Sequence, residues 1–173
     1  MPSSKRLFIL RHAKSSWDEP GLADHERPLA PRGRRAVEAI AAHVSAAGIT
    51  PELVLCSSAR RTRETLEGVA VGREHVIEPG LYGANCQDVL ERLHRVPEEI
   101  GSVMLVGHNP TLQALVLRLA DEDAAAHGSD LAEVRRKFPT GALATLIFDG
   151  AWGKLSPGSA RLASYVRPKS PGL

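Results

Sequence analysis

The chain has 173 residues, which is the size of one compact domain. A hydrophobic content of 43% is enough to fill a core and argues against disorder. The 22 basic and 20 acidic residues leave a formal net charge of +2, so the overall charge gives no reason to expect a nucleic-acid partner.

Apolar runs long enough for a membrane are missing from the sequence. The first apolar run, residues 7–10, is too short for a secretory signal, and a membrane span needs about 20 residues. We therefore expect a cytoplasmic protein that has no membrane partner. Cys56 and Cys86 are the only cysteines, and we expect two reduced thiols.

The first predicted element is a buried strand over residues 6–10, a short apolar run ahead of a polar loop. Residues 13–31 form a long loop, and a loop of this length inside a compact domain is usually functional. A helix is predicted over residues 32–47, where Val37, Ile40 and Val44 recur at helical spacing. Pro31 suits its start and Gly48 its end.

Further strands and helices alternate along the rest of the chain. Strands are predicted at 53–56, 76–77 and 102–106, and helices at 59–71, 88–95 and 110–121. Two strand-like runs, 142–149 and 160–166, surround a Gly- and Pro-bearing turn and predict an antiparallel hairpin. The alternation predicts one α/β domain over residues 1–173 with a mainly parallel sheet, ending in a disordered tail from about residue 168.

Three segments place histidine or arginine just past the ends of predicted strands. They are Arg11-His12, residues 57–62 (SSARRT) and residues 107–110 (GHNP). Ligands of an open α/β sheet bind in the crevice outside the carboxyl ends of the strands, so we expect the segments to converge. Guanidiniums form a cradle for a phosphoryl dianion, and an imidazole can attack phosphorus. These considerations alone do not decide which histidine attacks.

Each of these residues also has a simpler interpretation when taken alone. A single histidine after a strand is commonly structural, and Arg60, Arg61 and Arg63 could form a solvated helix face. We expect Ser57 or Ser58 to cap the helix that follows. His12, His108 and the two cysteines lack metal-ligand spacing, so we expect no metal and no cofactor. The remaining histidines are expected on the surface: His25, His43, His75, His94 and His127.

The ordered set of motifs resembles the histidine phosphatase superfamily, which includes the phosphoglycerate mutases. Its Arg-His-Gly signature is similar to Arg11-His12-Ala13, in which alanine takes the place of the glycine. A glycine would be required only if the backbone at this position had a positive φ. The chain is most similar to the small SixA-type phosphohistidine phosphatases, from about residue 7 to 149. The other matching segments are Ser57-x-x-x-Arg61-x-x-x-Thr65, Gly107-His108-Asn109-Pro110, Arg27-Pro28-Leu29 with Gly33, and Phe138-Pro139-Thr140.

The resemblance implies a phosphoglycerate mutase-like three-layer sandwich, with helices on both faces of a mainly parallel central sheet. It implies that His12 is the nucleophile and forms a phosphohistidine. Arg11, Arg61 and His108 would hold the phosphoryl oxygens, and His108 would help most when protonated. Further substrate contacts are expected from Lys14, Ser15 and Asn109.

The implied activity is metal-independent dephosphorylation of phosphohistidine in signalling proteins. One alternative is a phosphatase or mutase acting on small sugar phosphates, and another is a phosphate- or phosphoprotein-binding module without turnover. Expected partners are a phosphorylated protein or small substrate and the phosphate ion. No motif identifies a general acid. Asp18 and Glu78 are the best candidates, although all of the carboxylates considered are interpreted as ordinary solvated groups: Asp18, Glu19, Asp24, Glu26 and Glu78.

Overall fold

A computed structural model describes residues 4–123 and 128–168 of the chain. Its sheet has six strands in the order β3-β2-β4-β1-β5-β6. The strands are β1 (Lys5–Arg11), β2 (Leu53–Ser57), β3 (Glu74–Glu78), β4 (Ser102–Gly107), β5 (Leu143–Phe148) and β6 (Arg161–Val166). The helices are α1 (Pro31–Ala46), α2 (Arg60–Val69), α3 (Cys86–His94), α4 (Thr111–Leu119) and α5 (Gly128–Arg136).

The sheet is mainly parallel, as the alternation of elements predicts. β3, β2, β4 and β1 pair in parallel, while β5 runs antiparallel to both β1 and β6. The last two strands therefore form the predicted hairpin. Both cysteines are free thiols. His127 and the predicted tail beyond residue 168 fall outside the described residues.

Alternating side chains of the buried strands build two cores, one on each face of the sheet. Leu7 and Ile9 of β1 pack with α3, α4 and α5. Phe8 and Leu10, from the same strand, pack with α1 and α2. Because side chains along a strand point to opposite faces, a continuous apolar run serves both layers. The three-layer α/β sandwich is confirmed.

Element boundaries differ from the predictions by a few residues, and one helix was not predicted. β3 is longer than the predicted pair of residues, because it is an edge strand whose ends are polar. The helix missing from the predictions is α5, where Leu131 and Val134 are the buried apolar residues. A short, mostly polar helix gives little apolar periodicity to detect.

The topology brings the three motif-bearing segments to one edge of the sheet. β4 lies between β1 and β2 and runs parallel to both, so the segments that follow these strands are neighbours. Gly33 lets α1 approach the loop after β1, since a Cβ at this position would lie 2.1 Å from the Lys14 carbonyl oxygen. No helix in the described ranges is long and apolar enough to cross a membrane.

Candidate active site

His12 lies buried directly after β1, with 7% of its surface exposed. Its Nδ1 is 2.7 Å from the carbonyl oxygen of Ala13. A carbonyl can only accept a hydrogen bond, so Nδ1 carries the proton. Burial lowers the pKa of His12 to about 3, with smaller lowering contributions from the His108 ring, Arg61 and Arg11. At neutral pH Nε2 therefore has no proton and its lone pair is available.

Backbone contacts fix the segment that carries this histidine. The His12 amide donates to the Gly107 carbonyl at 3.1 Å, and the His12 carbonyl accepts from the Gly141 amide at 3.0 Å. The Ala13 amide donates to Thr65 Oγ1 at 3.0 Å. Among the described residues Ala70 is the one non-glycine with a positive φ, so the backbone at Ala13 does not require glycine.

His108 follows β4 and faces His12, with 5.4 Å between the ring centroids. Its Nε2 lies 2.8 Å from Ser57 Oγ. Burial, and then the charge of Arg61, lower the pKa of His108 to about 4. At neutral pH His108 is therefore uncharged, whereas its help would be greatest in the protonated form. A neutral imidazole still provides one N–H donor.

The serines before α2 do not cap it, contrary to the sequence prediction. The N-cap residue is Ala59, and no side chain caps the helix. Ser57 Oγ instead contacts His108, and Ser58 Oγ lies 2.9 Å from His25 Nε2. His25 is accordingly half-buried beside the cleft rather than a plain surface residue. Ser57 Oγ also accepts from the amide of Ala59, the N-cap residue itself, at 3.3 Å, but it does not reach the amides of the first helical turn.

Arg61, rather than its neighbour Arg60, points into the cleft, as the Ser57-to-Thr65 spacing predicts. Arg61 is buried, with 7% of its surface exposed. Arg60 is exposed and pairs with Glu64 on the helix surface at 3.3 Å. Arg11 donates from Nη1 to the Phe138 carbonyl at 2.9 Å. In the described part of the chain, its Nε is buried without a hydrogen-bond partner.

Asp24 is the main site residue that the sequence analysis missed. Its Oδ2 accepts from Arg61 Nη2 at 3.0 Å and from the Tyr82 hydroxyl at 2.6 Å. Its Oδ1 accepts from Arg27 Nη1 at 2.8 Å. The Tyr82 hydrogen bond, with further bonds from Arg27 and Arg61, holds the pKa of Asp24 far below its ordinary value. These three donors therefore stabilise the ionised form of Asp24 at the arginine cradle.

Arg27 ties the long first loop together. It is buried, and it donates to the Ser16 carbonyl at 3.0 Å as well as to Asp24 and Ser15 Oγ. Its guanidinium lies 3.3 Å from the centroid of the Trp17 ring, a cation–π contact. Trp17 is nevertheless 76% exposed. The loop thus presents a rigidly mounted aromatic ring at the rim.

All seven sequence-predicted site residues line one open cleft of about 620 Å³. Asn109 uses its amide inside the protein, donating to the Phe138 carbonyl at 3.0 Å and to Gln113 Oε1 at 3.3 Å. Lys14 is exposed at the rim. The cleft is lined by Arg11, His12, Lys14, Ser15, Trp17, Asp24, Arg27, Arg61, Tyr82, Gly83, His108, Asn109 and Thr140.

Comparison with known proteins gives the same assignment as the motifs. The model of the histidine phosphatase superfamily (branch 1) matches residues 7–82. A protein named phosphohistidine phosphatase SixA from Nakamurella multipartitia is 30% identical, with a TM-score of 0.85 over 98% of this chain and 99% of that one. A protein of the same name from Agrobacterium tumefaciens is 32% identical, with a TM-score of 0.78 over 95% and 99% of the two chains. This chain belongs to the histidine phosphatase superfamily.

A further relative extends the match across most of the length of this chain. An uncharacterized protein of Mycobacterium tuberculosis is 37% identical over 163 residues, which is 92% of this chain and 100% of that protein. Most of the chain therefore aligns with a full-length sequence, beyond the region matched by the family model.

Neither general-acid candidate from the sequence lines the cleft. Asp18 is exposed in the first loop. Glu78 pairs with Arg92 at 2.7 Å. Their selection rested on position in the chain, which does not report that Asp18 faces solvent or that Glu78, at the end of β3, is held by Arg92.

The described residues offer no candidate metal site. In the ranges 4–123 and 128–168, no three His, Cys, Asp or Glu side chains are grouped to hold a metal ion. That the reaction is independent of metal stays a prediction.

Proposed function

We propose that this histidine phosphatase hydrolyses phosphohistidine on polypeptides, with His12 as the covalent nucleophile. The observation that carries the substrate assignment is the state of Asp24. Among the cleft-lining residues of the described chain it bears the one carboxylate, and it is held ionised by Arg27, Arg61 and Tyr82. A carboxylate that cannot take up a proton near neutral pH is a poor general acid.

The proposed reaction has two chemical steps, transfer of the phosphoryl group to His12 and then to water. His12 Nε2 attacks phosphorus with its lone pair as the bond between phosphorus and the leaving group breaks. Water then attacks the phosphorus of the resulting phosphohistidine, and His12 regains its neutral form. Arg11 and Arg61 hold the equatorial oxygens, where charge is spread in the transition state. An N–H of the neutral His108 adds a third donor. Lys14 and Ser15 contact the substrate at the rim.

The leaving group determines how much a missing acid matters. In phosphohistidine the second ring nitrogen can be protonated near its pKa of about 6.5, and the ring then departs as neutral imidazole. An alkyl ester must expel an alkoxide, which needs a proton donor. The cleft therefore suits phosphohistidine and disfavours phosphoserine and sugar phosphates.

We predict that kcat/KM falls in the order phosphohistidine peptide, aryl phosphate, alkyl phosphate. The alkyl esters should be at least about 100-fold slower, the low end of what one general acid contributes. The measurement is steady-state phosphate release on the three substrate classes with one enzyme preparation. Equal kcat/KM on sugar phosphates and on phosphohistidine would contradict the proposal and would favour the small-molecule phosphatase.

A second prediction concerns the negative charge of Asp24. Asp24→Asn should bind inorganic phosphate about 5-fold more tightly. The reason is that a unit charge repels a dianion about 8 Å away by about 1 kcal/mol in a water-like dielectric. The measurement is the product-inhibition constant of phosphate. Asp18→Asn is the matched control, since Asp18 is exposed in the same loop and does not line the cleft, and it should change nothing. Weaker phosphate binding by Asp24→Asn would contradict this prediction. It would mean that Asp24 helps phosphate binding more by positioning Arg61 than it hinders binding by repelling the phosphate.

A further inference from the structure

A second, smaller cavity opens beside the cleft. Its volume is about 180 Å³, and it lies between the end of β4, the loop before α3 and the start of α4. Most of its wall is apolar, with Val89, Leu105 and Leu112 contributed from the core. Leu81 and Ala84 add apolar surface on the side of the loop. We call this cavity the apolar pocket.

The three polar side chains at the apolar pocket each make contacts inside the protein. Thr111 Oγ1 donates to the Ala84 carbonyl at 2.6 Å. The Asn109 amide is engaged with Gln113 and the Phe138 carbonyl. His108 Nε2 contacts Ser57 Oγ at 2.8 Å. A polar ligand would lose hydration here and find its partners occupied, whereas an apolar group would lose only contact with water.

The apolar pocket and the cleft are contiguous. Gly83, His108 and Asn109 line both, so the His108 side chain stands between the two spaces. A substrate whose phosphoryl group lies against His12 can therefore place a neighbouring group across His108. A cavity of about 150 Å³ with apolar walls is large enough for benzene, so the apolar pocket fits a leucine or phenylalanine side chain.

We propose that the apolar pocket recognises an apolar side chain next to the phosphohistidine of a polypeptide substrate. The proposal rests on the function proposed above and deepens it by naming a sequence preference. The occupant is a flanking residue rather than the reacting ring, because the apolar pocket lies beside the phosphoryl site across His108. The cleft itself is wide, at about 620 Å³, which leaves room for a peptide to pass over His12.

The test compares three phosphohistidine peptides that differ only in the flanking residue: glycine, leucine or phenylalanine. The wild-type enzyme should prefer the leucine and phenylalanine peptides by about 10- to 100-fold in kcat/KM, the usual range for filling an apolar pocket. Ala84→Leu fills the apolar pocket and should remove this preference. It should leave hydrolysis of phosphoramidate, which has no flanking group, unchanged.

The matched control is Ala42→Leu, an exposed position of α1 on the opposite face of the sheet, which should keep the preference. A second readout uses the wild-type enzyme and needs no turnover, so it holds even if Ala84→Leu fails to fold. Hydrolysis-resistant phosphonate analogues of the peptides are titrated while methyl NMR signals of Leu81, Leu105 and Leu112 are followed. The leucine analogue should shift these signals and the glycine analogue should not.

The outcomes separate this proposal from the proposed function. If all three peptides are hydrolysed at equal rates and the methyl signals stay in place, the apolar pocket has no such role and the proposed function stands. If aryl phosphate is hydrolysed but no phosphohistidine peptide is, the proposed function fails. In that case the methyl signals test the role of the apolar pocket by themselves. Shifts seen with the leucine analogue but not with the glycine analogue support the role, and the absence of such shifts overturns it.

Discussion

Replacement of His12 by alanine is expected to reduce turnover by a factor of about 10³ or more, because removing a covalent nucleophile leaves only binding and electrostatics. The buried imidazole has a pKa of about 3, so at neutral pH its Nε2 is the available nucleophile. Wild-type enzyme quenched during turnover should carry labelled phosphate that is acid-labile and alkali-stable. His12→Ala should carry none.

The control for this variant is His75→Ala, at an exposed position of the edge strand β3. It should retain full activity, and both variants should unfold at nearly the wild-type temperature. Activity retained by His12→Ala would refute the nucleophile assignment. Phosphate binding without any labelled phosphoenzyme in the wild type would instead favour a binding module.

Arg61→Ala should lower kcat/KM, with a loss of transition-state stabilisation of about 2–4 kcal/mol. This is the scale for removing one preorganised donor to a developing anion. The loss has a second source, since Asp24, still held by Arg27 and Tyr82, would remain ionised near the phosphoryl group without the charge of Arg61 to offset it. Adding Asp24→Asn to Arg61→Ala should therefore recover part of the lost rate. The measurement is kcat/KM for the single and double variants on a phosphohistidine peptide.

Arg60→Ala is the matched control for Arg61, because it removes the same side chain one residue earlier on α2. Arg60 is exposed and paired with Glu64, so its loss should change kcat/KM by less than about threefold, the scale of a surface ion pair. If Arg60→Ala proved the more damaging of the two, the orientation of α2 relative to the cleft would be wrong.

Much of the site could be predicted because ligand sites in open α/β sheets lie beyond the carboxyl ends of the strands. His12 and His108 directly follow neighbouring parallel strands, and Arg61 opens the helix after the next strand, so their convergence follows from topology. The choice of Arg61 over Arg60 came from the Ser57-to-Thr65 motif spacing. In the structure Arg61 and Thr65 are one turn apart on α2, and Thr65 holds the loop that follows His12.

The contacts that the sequence analysis missed depend on the path that loops take through the structure. Asp24 meets Arg61 and Tyr82 only because three distant segments cross at the rim, and no local pattern encodes that crossing. The capping prediction for Ser57 failed for the same reason, since its partner His108 is 51 residues away. The lowered pKa of His108 follows from burial, which single-residue motifs do not report.

The hydrogen bond from His12 Nδ1 to the Ala13 carbonyl has a consequence for mutational tolerance. The acceptor belongs to the main chain, so no side-chain substitution at position 13 can delete it. An enzyme that orients its histidine with a carboxylate can lose that orientation through one codon change. Here a variant must displace the backbone itself, for instance by removing the Thr65 hydroxyl that holds the Ala13 amide. Inactivating changes of tautomer should therefore map to residues that support this loop rather than to a partner side chain.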